Sequence, residues 1–105
     1  MWAVLGKDIQ MTAGYFGIQL PITISGTTLS ASDEIMFTLK NYSYQTVLTK
    51  TFSNISQNTV NLTLTAQESE GLTPGIYTYI LDWYQDGVFM CNLVPGSVFK
   101  VVAKT

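Results

Sequence analysis

Residues 72 to 77 read Leu-Thr-Pro-Gly-Ile-Tyr and lead into a long segment of strand-forming residues. Leu72 is followed by Gly75 three positions later and by Tyr77 two positions beyond that. This spacing is typical of a tyrosine corner, in which a phenol at the start of a strand bonds a backbone group a few residues upstream. We therefore predict a Greek-key sandwich in which the Tyr77 hydroxyl bonds a backbone group of residues 71 to 75. The alternative is an ordinary half-buried tyrosine at a strand start.

A short helical turn is predicted just before this segment. Thr65-Ala66-Gln67-Glu68 has the T-x-x-E pattern of a capping box, in which the first and fourth side chains bond each other's backbone N–H groups. Gly71 and Pro74 follow at once, and both residue types end helices. We expect one helical turn near residues 66 to 71.

Alternation of apolar and polar residues, which is the period of a half-buried strand, predicts the main strands. Weaker alternation predicts further strands over residues 8–12, 46–52 and 98–103. Pro21 lacks an N–H for the ladder, so its strand is expected at an edge or at a bend. The inward-facing residues are expected to be Ile18, Leu20, Ile22 and Ile24, then Ile35, Phe37 and Leu39, then Val60, Leu62 and Leu64.

These elements together predict the fold class. The chain is expected to be all-β, an immunoglobulin-like Greek-key β-sandwich of about seven strands with turns every 8–12 residues. Its 105 residues suit a single domain over 1–105, with the core in 7–103 and an N-terminal arm in 1–6.

The hairpin that follows Tyr77 has two candidate registers. A two-residue turn at Asp86-Gly87 would place Leu81 opposite Asn92 and bring an amide into an apolar face. A three-residue loop that begins one residue earlier, with Gly87 at positive φ, instead pairs Trp83 with Phe89. We predict the second register, because it directs the largest side chains inward: Tyr77, Tyr79, Leu81, Trp83, Phe89, Cys91 and Leu93.

The predicted register leaves an apolar outer face on this hairpin. Tyr84 is then expected opposite Val88, and Met90 opposite Asp82. An outer sheet face in a solvated monomer is normally polar, whereas exposed apolar surface commonly marks a protein contact. We predict a protein interface formed by Ile80, Tyr84, Val88 and Met90, with Trp2 added from the N-terminal arm. The partner is expected to be a second copy of the chain or a different protein, with Tyr84 and Met90 as anchors. The alternative is that the chain's own N-terminal segment covers the strip.

Composition argues against several function classes. The chain is 47% hydrophobic and 11% charged, and its five basic residues are all Lys, so it has neither His nor Arg. Absence of His removes the commonest acid–base residue, and a net charge of -2 with scattered Lys does not form a basic stripe for nucleic acid. No nucleophile, phosphate-loop or metal-ligand motif occurs. We therefore predict no enzyme activity, no cofactor, no metal site and no nucleic-acid partner.

Cysteine content and the N-terminus bear on location. The lone Cys91 gives no internal disulfide, and we expect it to be an inert buried thiol. The N-terminal apolar stretch is too short for a signal peptide and has no basic residue ahead of it, so Sec export is not expected. Residues 9–32 are uncharged but are interrupted throughout by polar residues, Gly and Pro, so no membrane span is expected.

The order of several short segments resembles a known family. The segments are Asp8-Ile9-Gln10-Met11-Thr12-Ala13-Gly14, Asp33-Glu34-Ile35-Met36-Phe37-Thr38-Leu39-Lys40, Lys50-Thr51-Phe52, Leu62-Thr63-Leu64-Thr65, Glu68-Ser69-Glu70-Gly71-Leu72, Gly75-Ile76-Tyr77-Thr78-Tyr79 and Asp86-Gly87. They resemble the small immunoglobulin-like domains encoded by phages and prophages of Gram-positive bacteria, such as the N-terminal domain of baseplate upper proteins. Tyr15 and Ile80 stand where family members often have acidic residues.

The resemblance implies a function. It implies a non-catalytic virion structural or adaptor module that binds other virion proteins. Such a module is made in the bacterial cytoplasm and then resides in the virion. The alternative is an immunoglobulin-like carbohydrate-binding or surface-adhesion module.

Overall fold

A computed structural model describes residues 2–5 and 7–104 of the chain. This part contains eight strands and one short helix. In chain order they are β1 (Trp2–Leu5), β2 (Asp8–Thr12), β3 (Leu20–Thr23), β4 (Asp33–Lys40), β5 (Thr46–Phe52), β6 (Thr59–Leu62), α1 (Ala66–Glu70), β7 (Gly75–Gln85) and β8 (Val88–Val102).

The strands form two sheets of unequal size. One sheet has six strands in the order β1-β2-β8-β7-β4-β5, and the other consists of β3 and β6. Neighbouring strands are antiparallel except β2 and β8, which are parallel. The chain crosses between the sheets from β2 to β3, from β3 to β4, from β5 to β6 and from β6 to β7. These crossovers confirm the predicted all-β, immunoglobulin-like Greek-key sandwich with one short helical turn.

The core lies between the sheets and contains most of the residues predicted to face inward. Ile35, Phe37 and Leu39 of β4 are fully buried, and each alternates with a half-buried polar or Met residue. Among the residues predicted from alternation, Ile18 is exposed because it precedes β3, and Ile22 is half-buried. Pro21 lies in β3, an edge strand, as its missing N–H requires. The buried apolar residues are Ile9, Met11, Leu20, Ile24, Leu29, Ile35, Phe37, Leu39, Ile55, Val60, Leu62, Leu64, Leu72, Tyr77, Tyr79, Leu81, Val94, Phe99 and Val101.

The helix is joined to the six-stranded sheet by a lysine. Glu68 N donates to Thr65 Oγ1 at 3.1 Å and Thr65 N donates to Glu68 Oε1 at 2.9 Å, which is the predicted capping box. Lys50 of β5 points inward and its Nζ lies 2.9 Å from Glu68 Oε1 and 2.6 Å from the Thr63 carbonyl oxygen. Partial burial acts to raise the pKa of Glu68, but the bonds from Thr65 and Lys50 outweigh it and lower that pKa.

The tyrosine corner is present at the start of β7. The Tyr77 hydroxyl donates to the Thr73 carbonyl oxygen at 2.8 Å, within the residues predicted from the spacing. Leu72 is buried beneath this turn and Gly75 begins the strand. The bond therefore fixes the crossover from α1 into β7.

Replacement of Tyr77 by Phe removes the hydroxyl that ties this crossover. We expect Tyr77→Phe to lower the free energy of unfolding by about 1 kcal/mol or somewhat more, because the Thr73 carbonyl loses its partner. Denaturant unfolding measures this. The matched control is Tyr42→Phe, whose side chain is exposed and should be neutral. Equal effects of the two substitutions would contradict a structural role for the Tyr77 hydroxyl.

The bonds of Glu68 predict a pH dependence of stability. Because folding lowers its pKa below the ordinary value of 4.5, the charged carboxylate stabilises the fold above that pH. The contribution is lost as pH falls through the lowered folded pKa. We expect Glu68→Gln to lower the free energy of unfolding at pH 7 by less than about 1 kcal/mol, and the difference to shrink below pH 4.5. Denaturant unfolding against pH, with Glu70→Gln as the exposed control, tests this; a difference that grows on acidification would contradict it.

Candidate functional site at the β7–β8 hairpin

The turn of the hairpin has two residues. Gln85 pairs with Val88 and Tyr84 pairs with Phe89, so only Asp86 and Gly87 lie between the strands. Asp86 has φ 50 and Gly87 has φ 79, as a type I′ turn requires at its two central positions. The positive φ of Gly87 is confirmed, whereas the predicted three-residue loop is wrong.

A β-bulge accounts for the difference. The register shifts between Tyr84 and Trp83, so Trp83 pairs with Cys91 and Met90 is the extra residue. Asn92 then lies opposite Asp82 and donates its side-chain amide to that carboxylate. With a constant register, a two-residue turn would place the Asn92 amide opposite Leu81 in the apolar face, and for that reason the sequence favours the longer loop. Because the bulge shifts the pairing by one residue, the Asn92 amide lies on the outer face and stays out of the apolar face.

The shifted register changes which residues face outward. Phe89, predicted to face the core, lies on the outer face and is exposed. Cys91 shares the inner face with its partner Trp83 but is exposed as well, so the predicted buried thiol is wrong. Phe89 lies directly across from Tyr84, with ring centroids 5.7 Å apart and ring planes at 70°. The predicted pairs of Tyr84 with Val88 and of Met90 with Asp82 are likewise wrong. Sequence reasoning thus missed Phe89, although the Asp-Gly dipeptide is itself the strongest signal for a two-residue turn.

An exposed apolar surface is nevertheless present at this end of the molecule. Val88 is 62% exposed, Phe89 50% and Met90 43%, and Tyr84 is half-buried against Phe89. Tyr84 and Phe89 share the outer face, whereas Val88 is paired with Gln85 and takes the other face. Together with Met90 these residues surround the tip of the hairpin, and we call Tyr84, Val88, Phe89 and Met90 the hairpin surface. Three of these four residues were predicted as interface residues from the sequence.

Ile80, also predicted as an interface residue, lies apart from the hairpin surface. It occupies the same outer face of β7 as Tyr84 and is half-buried. The bonded pair of Asp82 and Asn92 stands between Ile80 and Tyr84 on that face. The hairpin surface therefore ends at this polar pair.

Trp2 does not belong to the hairpin surface. Its ring contacts Tyr15 and the buried Phe99 edge to face, with centroids 5.9 and 6.2 Å away, and its Nε1 donates to the Ile18 carbonyl oxygen at 3.0 Å. β1 pairs with β2 at the sheet edge, separated from β7 by β2 and β8. Trp2 therefore completes the core, and the residues of β1 do not cover the hairpin surface.

The rim of the hairpin surface is acidic. Asp82 and Asp86 belong to the hairpin, and Glu34 lies beside Tyr84 on the neighbouring strand. Lys40 is at the other end of β4, where it pairs with Thr78. The surface thus combines apolar side chains with negative charge.

A groove of about 320 Å³ lies between β3 and the six-stranded sheet. Apolar residues form much of it, among them Ile9, Ile22 and Leu93. Ile24 N donates to the Asn58 carbonyl oxygen at 2.7 Å, so alternate residues of β3 bond toward β6 and Pro21 faces the free edge. Because Pro21 has no N–H to offer there, this edge is poorly suited to pairing with an added strand.

Among residues 2–5 and 7–104, no group of three or more His, Cys, Asp or Glu side chains is arranged to hold a metal ion. Over the same residues, no helix is long and apolar enough to cross a membrane.

Comparison of the chain with protein-family models, with curated proteins and with solved structures finds no match. The fold and the hairpin surface are therefore the observations that bear on function.

The turn geometry predicts the effect of replacing its glycine. Gly87 is at φ 79, where a Cβ is strained whatever the space around it. We expect Gly87→Ala to lower the free energy of unfolding by about 1 kcal/mol. The matched control is Gly71→Ala, because Gly71 has φ -74 and an added Cβ would meet backbone oxygens at ordinary distances of 3.5 and 3.9 Å. Denaturant unfolding that shows no loss for Gly87→Ala relative to Gly71→Ala would contradict the type I′ turn.

Proposed function

We propose that this chain is a non-catalytic structural or adaptor module of a phage or prophage virion, and that it binds another virion protein through the hairpin surface. The observation that carries the proposal is the exposure of Val88, Phe89 and Met90 beside Tyr84 at one end of the sandwich.

The composition of the hairpin surface supports a protein partner. Aromatic residues and Met are enriched in the cores of protein interfaces, and hot spots are rich in Tyr. Full burial of an exposed Val, Phe or Met side chain contributes about 1.5–3 kcal/mol, and these three side chains are roughly half exposed. The hairpin surface can therefore anchor a complex, and the partner is expected to make further contacts around it.

Preorganisation also supports this role. The Tyr84 and Phe89 rings already contact each other, and the type I′ turn fixes the pairing of these two residues. Little side-chain freedom remains to be lost when a partner binds, and low ordering cost favours affinity.

The acidic rim indicates the character of the partner. Glu34, Asp82 and Asp86 surround the hairpin surface with negative charge. A second copy that docked through the same surface would bring like charges together, which is unfavourable. We therefore propose a different protein, with an apolar depression and basic residues around it.

The virion setting rests on the resemblance described above. The segments that carry it coincide with structural elements: they fall on β2, β4, β5, β6, α1, β7 and the hairpin turn. This agreement supports the sandwich fold that the resemblance implies, and the proposed virion setting rests on the resemblance itself.

The test measures whether the chain is incorporated into phage particles. The bacterium that encodes the chain is induced, and particles are purified on a density gradient and analysed for the chain by mass spectrometry. We expect the chain in the particles, and we expect Phe89→Lys to reduce its incorporation about tenfold by loss of an interface anchor. Val47→Lys is the matched control, since Val47 is an exposed apolar residue of β5 away from the hairpin.

Two results would overturn parts of the proposal. Absence of the chain from particles would exclude the virion role, and equal incorporation of Phe89→Lys and wild type would exclude the hairpin surface. Sedimentation velocity of the isolated chain supplies the third test, with Met90→Lys alongside wild type. Concentration-dependent dimerisation that Met90→Lys abolishes would show that the partner is a second copy.

A further inference from the structure

The groove beside β3 exists because the two sheets differ in width. A sheet of two strands, β3 and β6, packs on a sheet of six. The groove of about 320 Å³ follows β3 and is bounded on its other side by residues of β1, β2, β7 and β8. Part of the inner face of the six-stranded sheet is therefore left uncovered along β3.

The side chains along this groove are apolar and incompletely buried. Val4 of β1 is 52% exposed, and Ile22 and Leu93 are half-buried, although all three line the groove. Ile9 and Leu81, which also line it, belong to the buried core. An apolar ligand in the groove would remove apolar surface of the protein from water together with its own, which is favourable.

A bulge in β8 supplies one of these apolar side chains. Val94 pairs with Leu81 and Asn92 pairs with Asp82, so Leu93 is an extra residue between the two pairs. Leu93 and Val94 consequently both line the groove, whereas successive residues of a regular strand point to opposite faces. Bulges are over-represented next to functional sites, where they re-aim a side chain.

One positive charge lies at the rim of the groove. Lys7 is exposed and is the only charged residue among the described residues that line the groove. The Tyr79 hydroxyl donates to the Lys7 carbonyl oxygen, which holds the backbone of Lys7 beside the groove. In the part of the chain that the structure describes, the only ion pair joins Lys50 to Glu68, so the Lys7 ammonium forms none. This ammonium can therefore pair with an anionic group of a ligand.

The free edge of β3 argues against a peptide strand as the occupant of the groove. A peptide that extended the small sheet would need backbone donors along this edge, and Pro21 has none to offer. An alkyl chain needs no backbone donor, because its binding depends on the burial of apolar surface. The groove and its rim thus suit an alkyl chain that ends in a negative charge.

We propose that the groove binds a medium-chain fatty acid, with its alkyl chain packed on Ile22 and Leu93 and its carboxylate at the Lys7 ammonium. The volume lies near the lower end of the roughly 300–1,000 Å³ of small-molecule sites, which favours a chain of medium length. The proposal does not depend on the virion role or on the hairpin surface.

The test is an NMR titration of the ¹⁵N-labelled chain with hexanoate, octanoate and decanoate below their micelle concentrations. We expect saturable shifts centred on the amides of residues 22–25, 79–81 and 93–94, which border the groove. Each CH₂ group that is buried strengthens binding by up to about fourfold, so the Kd should fall from hexanoate to octanoate. Phosphatidylglycerol vesicles test a membrane lipid as the alternative source of an anionic alkyl ligand.

The neutral analogue 1-octanol separates the charge from the apolar contact. Lys7→Gln is expected to weaken octanoate binding about threefold, the scale of an exposed ion pair, and to leave octanol binding unchanged. Because Lys7 is exposed, this change should not disturb the fold. The matched control is Lys100→Gln, since Lys100 is an exposed lysine of β8 that does not line the groove.

Ile22→Thr tests the apolar contact. Thr keeps the β-branched shape that suits a strand but has a smaller apolar surface. We expect it to weaken octanoate and octanol alike, by about fourfold, which corresponds to one buried CH₂ group. The matched control is Val47→Thr, because Val47 is an exposed apolar residue of β5 away from the groove.

Three outcomes would overturn the fatty-acid site. They are the absence of saturable shifts with all three acids, shifts located away from the groove, and octanoate binding that either Lys7→Gln or Ile22→Thr leaves unchanged. Binding to the vesicles without binding of the free acids would assign the groove to a membrane lipid instead. None of these outcomes bears on the incorporation of Phe89→Lys into particles, so the two proposals fail separately.

Discussion

The two-residue turn at Asp86 and Gly87 is the constraint on which the outer surface of the sandwich depends. It joins β7 and β8, which lie side by side in the middle of the six-stranded sheet, and it sets their register at one end. Because strand side chains alternate, that register decides which face each residue takes. The bulge at Met90 and two further register shifts along β8 change the faces of β8 residues: Phe89 joins Tyr84 outside, Asn92 lies outside opposite Asp82, and Val94 is buried opposite Leu81. One turn and one bulge together create the hairpin surface.

Much of the fold could be predicted because local patterns and tertiary packing agree. In β4 the alternating residues of the sequence are buried and half-buried in turn. The T-x-x-E pattern before Gly71 forms the capping box of Thr65, and the Leu-Gly-Tyr spacing forms the hydrogen bond of the Tyr77 hydroxyl. The hairpin faces could not be predicted in the same way. A bulge breaks the period of two that the prediction relied on, and no residue type near Met90 marks its position.

Other missed features depend on contacts between distant segments. Trp2 is predicted from the sequence to join the interface as part of an N-terminal arm, but its partners Tyr15 and Phe99 come from elsewhere in the chain. Asn58 accepts a bond from Leu29 N at 2.9 Å and donates to the Ile24 carbonyl oxygen at 3.1 Å, and so fixes the loop between β3 and β4. Nothing in the sequence near Asn58 indicates this role, because its partners lie about thirty residues earlier.

The edges of the two sheets disfavour association by strand addition, so a partner is expected to bind through side-chain contacts. An unpaired strand edge invites another strand, and proteins commonly block it with proline or inward-pointing charge. Pro21 removes a donor from the free edge of β3, and Lys50 on the edge strand β5 points inward to Glu68. Both devices oppose strand addition at β3 and β5. The hairpin surface, by contrast, is held by turn geometry and by the contact of Tyr84 with Phe89, so a partner can reach it without strand pairing.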